Sequence, residues 1–432
     1  MSLPLFCSMK YLLCLLLFLF SAGSNVKAQD SSFVKKTYKR FYNRYLQKDF
    51  SPKSPDSAKG LKAGLKRVYN RMYKKYVYVD STQIDRDSSK GFSSNPIAVP
   101  IVGYSQEQKF GIGLALIYSF YRNRFDVKAL RTSLYVNAGF FHLYEIRYRF
   151  KPLIWGNNRD FRFQQTLDFQ DYPTNFYGIG NHTLAANLTR VRYFQLNANG
   201  EIQKRISHKL YLGLNAGFTY IHISPITRKG YFDSLSTIAS RTGGRLFNIG
   251  PTLNFDTRDF QNYADKGDYV RSTVLFSPSF LNESLGSLIS YTLDARHYLH
   301  FDNFQVIGLN LVASGFFDKY VPFSFLSQLG GNQIMRGYYS GRFRDKNMIA
   351  AQAEYRYRFI PRVAAAVFAG TGEVYGYEPF AFKNLKPNFG GGLRYIFDLP
   401  SRSTFRVDYA IGEKPHGERR LKGLYISINE AF

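Results

Sequence analysis

From residue 97 onward, apolar and polar side chains alternate with a period of two, in one segment after another to the end of the chain. In 161–170, Phe161, Phe163, Leu167 and Phe169 alternate with Arg162, Gln164, Thr166, Asp168 and Gln170. In 143–151, Tyr144, Ile146, Tyr148 and Phe150 alternate with Glu145, Arg147, Arg149 and Lys151. In 403–412, Phe405, Val407, Tyr409 and Ile411 alternate with Thr404, Arg406, Asp408 and Ala410. Neighbouring side chains of a strand point to opposite faces, so each segment has one bulky apolar face and one polar or charged face. The pattern predicts sixteen strands, near 97–104, 110–121, 130–140, 141–151, 160–170, 190–205, 208–222, 244–256, 267–280, 287–300, 303–317, 348–360, 362–376, 387–398, 403–412 and 421–432. An even number lets an antiparallel sheet close on itself with both ends on one side. Such strands suit a barrel with lipid outside and a polar lumen. They also suit a soluble sandwich whose polar face is wet, so alternation alone does not choose.

Three further features favour the barrel. Leu424, Ile426 and Ile428 alternate with Tyr425, Ser427 and Asn429, and the sequence stops on Phe432, as bacterial outer-membrane barrels usually close. At the other end Lys10 precedes an apolar run from Tyr11 to Phe20, and the small-residue site Val26-Lys27-Ala28 follows. This reads as a secretory signal over 1–28, since the run falls short of the roughly 20 residues of a membrane-spanning helix. The gaps also alternate: the predicted turn at Pro361 is tight, whereas 318–347 is a long connection. Short turns on one side and long loops on the other are the habit of outer-membrane barrels, and so is a chain with 34 Tyr, 40 Phe and 35 Gly.

Both cysteines, Cys7 and Cys14, lie in the expected signal. Disulfides, thiol chemistry and Cys-ligated metals are thereby excluded from the mature chain, and no cofactor is expected. The formal net charge of +27 suggests nucleic acid at first sight. An exported chain with no nucleic-acid module points instead to basic groups in a lumen or against anionic lipid, with outer-membrane lipid and lipopolysaccharide as expected partners. Residues 29–95 form a distinct arm, and 30–80 carry 14 Lys/Arg against four acids, Asp30, Asp49, Asp56 and Asp80. Phe41, Tyr45 and Leu46, then Leu61, Leu65, Val68 and Met72, recur at helical spacing, so the arm reads as short basic helices or as a disordered segment.

The long connection holds Gly330-Gly331 and then Met335-Arg336-Gly337-Tyr338. With Met in place of Val, it resembles the sixth extracellular loop of the BamA-like outer-membrane assembly and secretion superfamily, and it falls between the eleventh and twelfth predicted strands, where that family has it. Asp256-Thr257-Arg258-Asp259 followed by Gly267 resembles the family's periplasmic turn, with its usual proline missing. Residues 100–113 resemble its first hairpin, and 390–395, 408–410 and 423–425 its last three strands. The resemblance covers 97–432. It implies an all-β fold, a sixteen-stranded antiparallel transmembrane β-barrel over 96–432. It further implies an inward-folded loop in which Arg336 meets an acid on the twelfth strand, here Glu354. The second family acid falls on Gly370, so it is absent or replaced by Glu373.

Residues 29–95 show no order of strands and helices fit for a POTRA domain, so capture of clients by such domains is not carried over. The implied function is assistance of protein or lipid insertion or export across the outer membrane, with an unidentified protein client or periplasmic partner. A passive or anion-selective channel is the alternative, favoured by Arg147, Arg149, Arg356, Arg358 and Arg394 on the lumenal face. An enzyme is not expected: the seven His are scattered, no Gly-x-Ser-x-Gly or His-Glu-x-x-His occurs, and 390–392 lacks the Lys-Ser/Thr of a phosphate loop.

Overall fold

The computed structural model describes residues 97–432 except 108, 121–131, 142–144, 157–159, 228–229, 235–239, 282–285, 303 and 399–401. The expected signal and basic arm lie outside the described residues. The first half of the barrel comprises β1 (Ile97–Ser105), β2 (Lys109–Phe120), β3 (Thr132–Phe141), β4 (Glu145–Trp155), β5 (Phe161–Phe176), β6 (Thr189–Ser207), β7 (Leu210–Pro225) and β8 (Gly243–Asp256). The second half comprises β9 (Gly267–Ser277), β10 (Leu288–Asp302), β11 (Gln305–Phe316), β14 (Asn347–Ile360), β15 (Val363–Tyr375), β16 (Lys386–Asp398), β17 (Ser403–Ile411) and β18 (Lys422–Ile428). Each pairs antiparallel with its barrel neighbours, and β1 meets β18 to close the ring. Two further strands, β12 (Ser327–Leu329) and β13 (Phe343–Asp345), form a separate hairpin within the long connection after β11.

The hydrophobic pattern is inverted relative to a water-soluble protein. Ile202, Leu212, Leu214, Leu309, Leu311, Val367 and Leu424 are exposed on the outer wall, whereas Glu201, Gln203, Asn215, Thr252, Asn310 and Gln352 are buried inside it. Exposed bulky apolar groups around a closed wall are stable against hydrocarbon and costly against water. Closure matters equally, because hydrocarbon offers no partner for an unpaired backbone N–H or C=O.

β4 is shifted to Glu145–Trp155 from the expected 141–151, and the ends of β5 and β18 depart furthest from the sequence expectation. β5 runs on through Pro173 to Phe176, past the expected end near 170. Among the described residues its pairing with β4 ends at Ile146↔Asp171, while its pairing with β6 continues through Pro173↔Arg192 to Phe176↔Thr189. At the other terminus, the expected strand through Phe432 stops at Ile428. Asn429 adopts a φ of 65°, and Glu430, Ala431 and Phe432 turn inward and are buried. Leu424, Ile426 and Ile428 lie on the outer wall, but Phe432 does not join them: its ring sits 5.8 Å from the Arg356 guanidinium inside the lumen.

Candidate functional site

The connection after β11 folds against residues of β14, β16, β17 and β18. Ser327↔Asp345, Gln328↔Arg344 and Leu329↔Phe343 pair to make the β12–β13 hairpin, and its tip carries the Gly-Gly and Met-Arg-Gly-Tyr motifs. Gly330 and Gly331 have φ of 108° and 111°, in the left-handed region that favours glycine. The Gly331 N–H donates to the Tyr338 carbonyl at 3.0 Å and so folds the tip back on itself. Tyr338 is buried, its hydroxyl donating to the Pro387 carbonyl at 2.6 Å and accepting from the Glu413 N–H at 2.9 Å. Burial pushes the Tyr338 phenol above its ordinary range.

At the bottom of the tip, Arg336 is fully buried. Its Nη2 donates to Glu354 Oε2 at 2.7 Å and its Nη1 to Asp408 Oδ2 at 2.6 Å. The guanidinium lies 3.4 Å from the centroid of the Phe368 ring, a stacked cation–π contact. Met335 N–H donates to Gln352 Oε1, Asn388 Nδ2 to the Arg336 carbonyl, and the Gly337 N–H to the Tyr425 hydroxyl. The tip is thus held by β14, β16, β17 and β18 together.

Glu354 and Asp408 belong to a larger buried network. Arg356 Nε donates to Glu354 Oε1 at 2.8 Å. Arg394 reaches Glu354, Asp408 and Glu430, the last at 2.7 Å. Arg406 Nη1 lies 3.3 Å from Asp408 and its other nitrogens bond Ser427 and the Asn332 carbonyl. Four arginines face three side-chain carboxylates, 4 − 3 = +1 in side-chain formal charge, and Arg356 Nη2 also donates to the Phe432 main-chain oxygen, in a region closed to water. In such surroundings, charge-assisted bonds are strong and an unmatched charge is costly.

Of the acids considered from sequence, Glu354 is brought to Arg336 and Glu373 is not. Glu373 lies on the opposite face of β15 from Val374, which packs beside Met335, and its Oε1 accepts from the Ala381 N–H. The second carboxylate at Arg336 comes instead from Asp408, four barrel strands from β11. A signal for it was available, since the alternation of 403–412 puts Arg406 and Asp408 on the polar face. The run 390–392 is used sterically: a Cβ at Gly392 would collide with the Asp408 carboxylate, and one at Gly390 would come within 2.6 Å of the Phe368 ring. At the turn before β9, Arg258 donates to both oxygens of Asp256 at 2.9 and 2.8 Å. Asp259 Oδ1 accepts from the Phe260 and Asp265 N–H groups, and Gly267, at φ 103°, would clash with the Thr257 carbonyl if it had a Cβ.

Above the hairpin, Phe323 and Leu326 enter an apolar cluster with Phe176, Tyr193, Ile223, Phe232 and Leu246 from the walls and the connection after β7. Phe323 packs edge-on to Phe176 at 5.2 Å. Phe323→Ala is expected to cost about 3–5 kcal/mol of local packing. It should raise ion leak in a planar bilayer over wild type; an unchanged leak would show that this cluster is not the seal.

A family model for the Omp85 superfamily domain matches residues 119–432. The chain belongs to the Omp85 superfamily. Among solved structures, the Omp85 barrel described here is similar to BamA from Haemophilus ducreyi lacking POTRA domains 1–3, with a TM-score of 0.53 and 13% identity over 78% of this chain and 70% of that one. It is similar also to CdiB from Acinetobacter baumannii (TM-score 0.51, 13% identity, 78% of this chain) and to CdiB from Escherichia coli (0.50, 10%, 77%). It spans 60% and 62% of those two CdiB chains. No curated protein matches it. These likenesses agree with the inverted wall: this is an outer-membrane β-barrel of an assembly and translocation family.

Proposed function

We propose that this Omp85 barrel assists insertion or export of protein, or of lipid, at the outer membrane by parting its wall between β1 and β18, while the lumenal loop holds the remaining wall in shape. The observation that carries the reading is the seam. β1 registers with β2 from Ile97↔Ile117 through Ser105↔Lys109, but with β18 only at Tyr104↔Ile426 among the described residues. That register would set Pro100 opposite Glu430, yet β18 has ended and Glu430 has turned inward to Arg394. The first part of β1 is therefore left with an edge of backbone groups unmatched by β18, the kind of edge that pairs with an incoming strand.

The channel reading is less well supported. Arg147 and Arg149 share Asp168, Arg358 lies on Asp265, and Arg356 and Arg394 lie within the buried network, so each of these lumenal cations already touches a carboxylate. The proposal assigns the chain no catalytic role.

Cysteines at Tyr104 and Ile426 test the seam, because facing residues of paired strands lie within disulfide reach. In proteoliposomes, oxidised Tyr104→Cys/Ile426→Cys is expected to lose assembly of an unfolded barrel client and to regain it on reduction. A control bridge, Tyr409→Cys/Leu424→Cys, joins β17 to β18 away from the seam and should leave activity intact. Full activity of the oxidised seam variant would refute the proposal.

A further inference from the structure

On the outer wall, three neighbouring strands share one pattern. Outward positions of β6 are apolar or Gly from Ile202 to Phe194, and Arg192 and Arg190 follow. On β7 they run apolar from Leu212 to Tyr220 and then reach His222; on β8 they run from Phe255 to Phe247 and then reach Arg245. Each apolar run spans eight residues, about 26 Å along the strand, which at barrel tilts is roughly 20 Å of height and close to the ~25 Å apolar band of such proteins. The basic residues sit at the end of that band away from the rim where β18 ends.

Directly below them is a file of aromatic rings across β4 to β7. Tyr148 meets Phe169 at 6.0 Å, Phe169 meets Phe194 at 5.2 Å, and Phe194 meets Tyr220 at 6.0 Å. Aromatic girdles of this kind mark the headgroup level. Above the rings a cleft of about 420 Å³ opens between Asp171, Arg192, Phe194, Tyr220, His222 and Ser224. Arg192 and His222 line it and are exposed, and Arg190 and Arg245 are exposed at the same end of β6 and β8. Arg192 donates through Nε and Nη2 to the two oxygens of Asp171 at 2.7 and 2.8 Å, which leaves Nη1 as a further donor. Arg190 and Arg192 face one carboxylate, Asp171, 2 − 1 = +1 in formal charge, and β8 adds the guanidinium of Arg245.

We infer that this face binds the phosphate groups of an outer-leaflet glycolipid, the lipopolysaccharide class. The height fits a headgroup and the girdle fits the start of its acyl region. The clustered guanidinium forks fit phosphate, which they grip in two-point contacts. The far rim faces the outer leaflet because it carries the long connections after β5, β7 and β11, whereas the opposite rim has the short turns after β6, β10 and β14. The site uses none of the lumenal loop or the seam, so it stands or falls apart from the proposed function.

The test uses the purified full chain in mixed bicelles, with retained lipid counted by native mass spectrometry. The probes are bisphosphorylated lipid A, the same lipid dephosphorylated, and phosphatidylglycerol. Wild type is expected to retain the bisphosphorylated lipid above both others. Arg190→Gln/Arg192→Gln/Arg245→Gln should weaken that retention on the order of 100-fold, at about fivefold for each arginine near a charged lipid surface. Lys204→Gln/Lys209→Gln/Lys266→Gln, with equal charge removed at the opposite rim, should bind as wild type. Equal retention by the arginine variant and wild type would overturn the inference. So would equal binding of dephosphorylated lipid, equal binding of phosphatidylglycerol, or equal loss in the lysine control.

Discussion

Glu354→Ala is expected to lower the temperature at which the barrel loses its compact, gel-shifted form more than any other single change in the lumen, and more than Arg336→Ala. The reason is the charge count around the loop tip. Four buried arginines face Glu354, Asp408 and Glu430. Removing Glu354 takes the balance from 4 − 3 = +1 to 4 − 2 = +2, and strips a partner from Arg336, Arg356 and Arg394 at once. Breaking a buried pair from one side costs roughly 3–5 kcal/mol, because the surviving charge stays desolvated. Removing Arg336 instead leaves three arginines against three acids, with Glu354 still bonded to Arg356 and Asp408 to Arg394. Its main consequence should be a loop no longer anchored, read as protease sensitivity of 327–345 and lost assembly activity. The double variant returns the count to +1, so it should be more stable than Glu354→Ala alone. Such non-additivity is the mark of direct coupling. Simple addition of the two losses would show that the contacts do not act as one network. Glu373→Gln, on the far side of β15, should leave the loop's protection unchanged.

The second large effect is expected at Gly337. Its φ is 105°, and a Cβ there would lie 3.1 Å from the backbone of Ile411 and Gly412. Strain of this kind costs about 1–3 kcal/mol even without a clash. Here the tight contact is with wall backbone, which gives way less readily than a side chain. Gly337→Ala should therefore lift the tip off β17, break the Gly337 N–H bond to Tyr425 and draw Arg336 away from Asp408. The expected readout is rapid amide exchange over 330–341, with the barrel strands still protected. Wild-type protection in that segment would mean that the tip has room the geometry does not show.

The all-β class, the sixteen wall strands and most of their limits were legible in the sequence because each rests on a local rule. A strand's faces alternate with every residue, and a lipid-facing wall selects apolar groups on one of them. The place of the long connection followed from the same count. What could not be read was decided by contacts between distant segments. Asp408, rather than Glu373, meets Arg336 because curvature of the closed wall brings β17 across the lumen to the loop, a proximity with no trace in sequence spacing. The hairpin of Ser327–Leu329 with Phe343–Asp345 is too short to show a period. The inward turn at Asn429 violates the alternation that reads so clearly up to Ile428, since Glu430 and Phe432 find Arg394 and Arg356 inside the barrel. Alternation reports which face a residue takes while the chain stays in the wall. Where the chain leaves it, burial of charge against charge in a confined lumen decides the path.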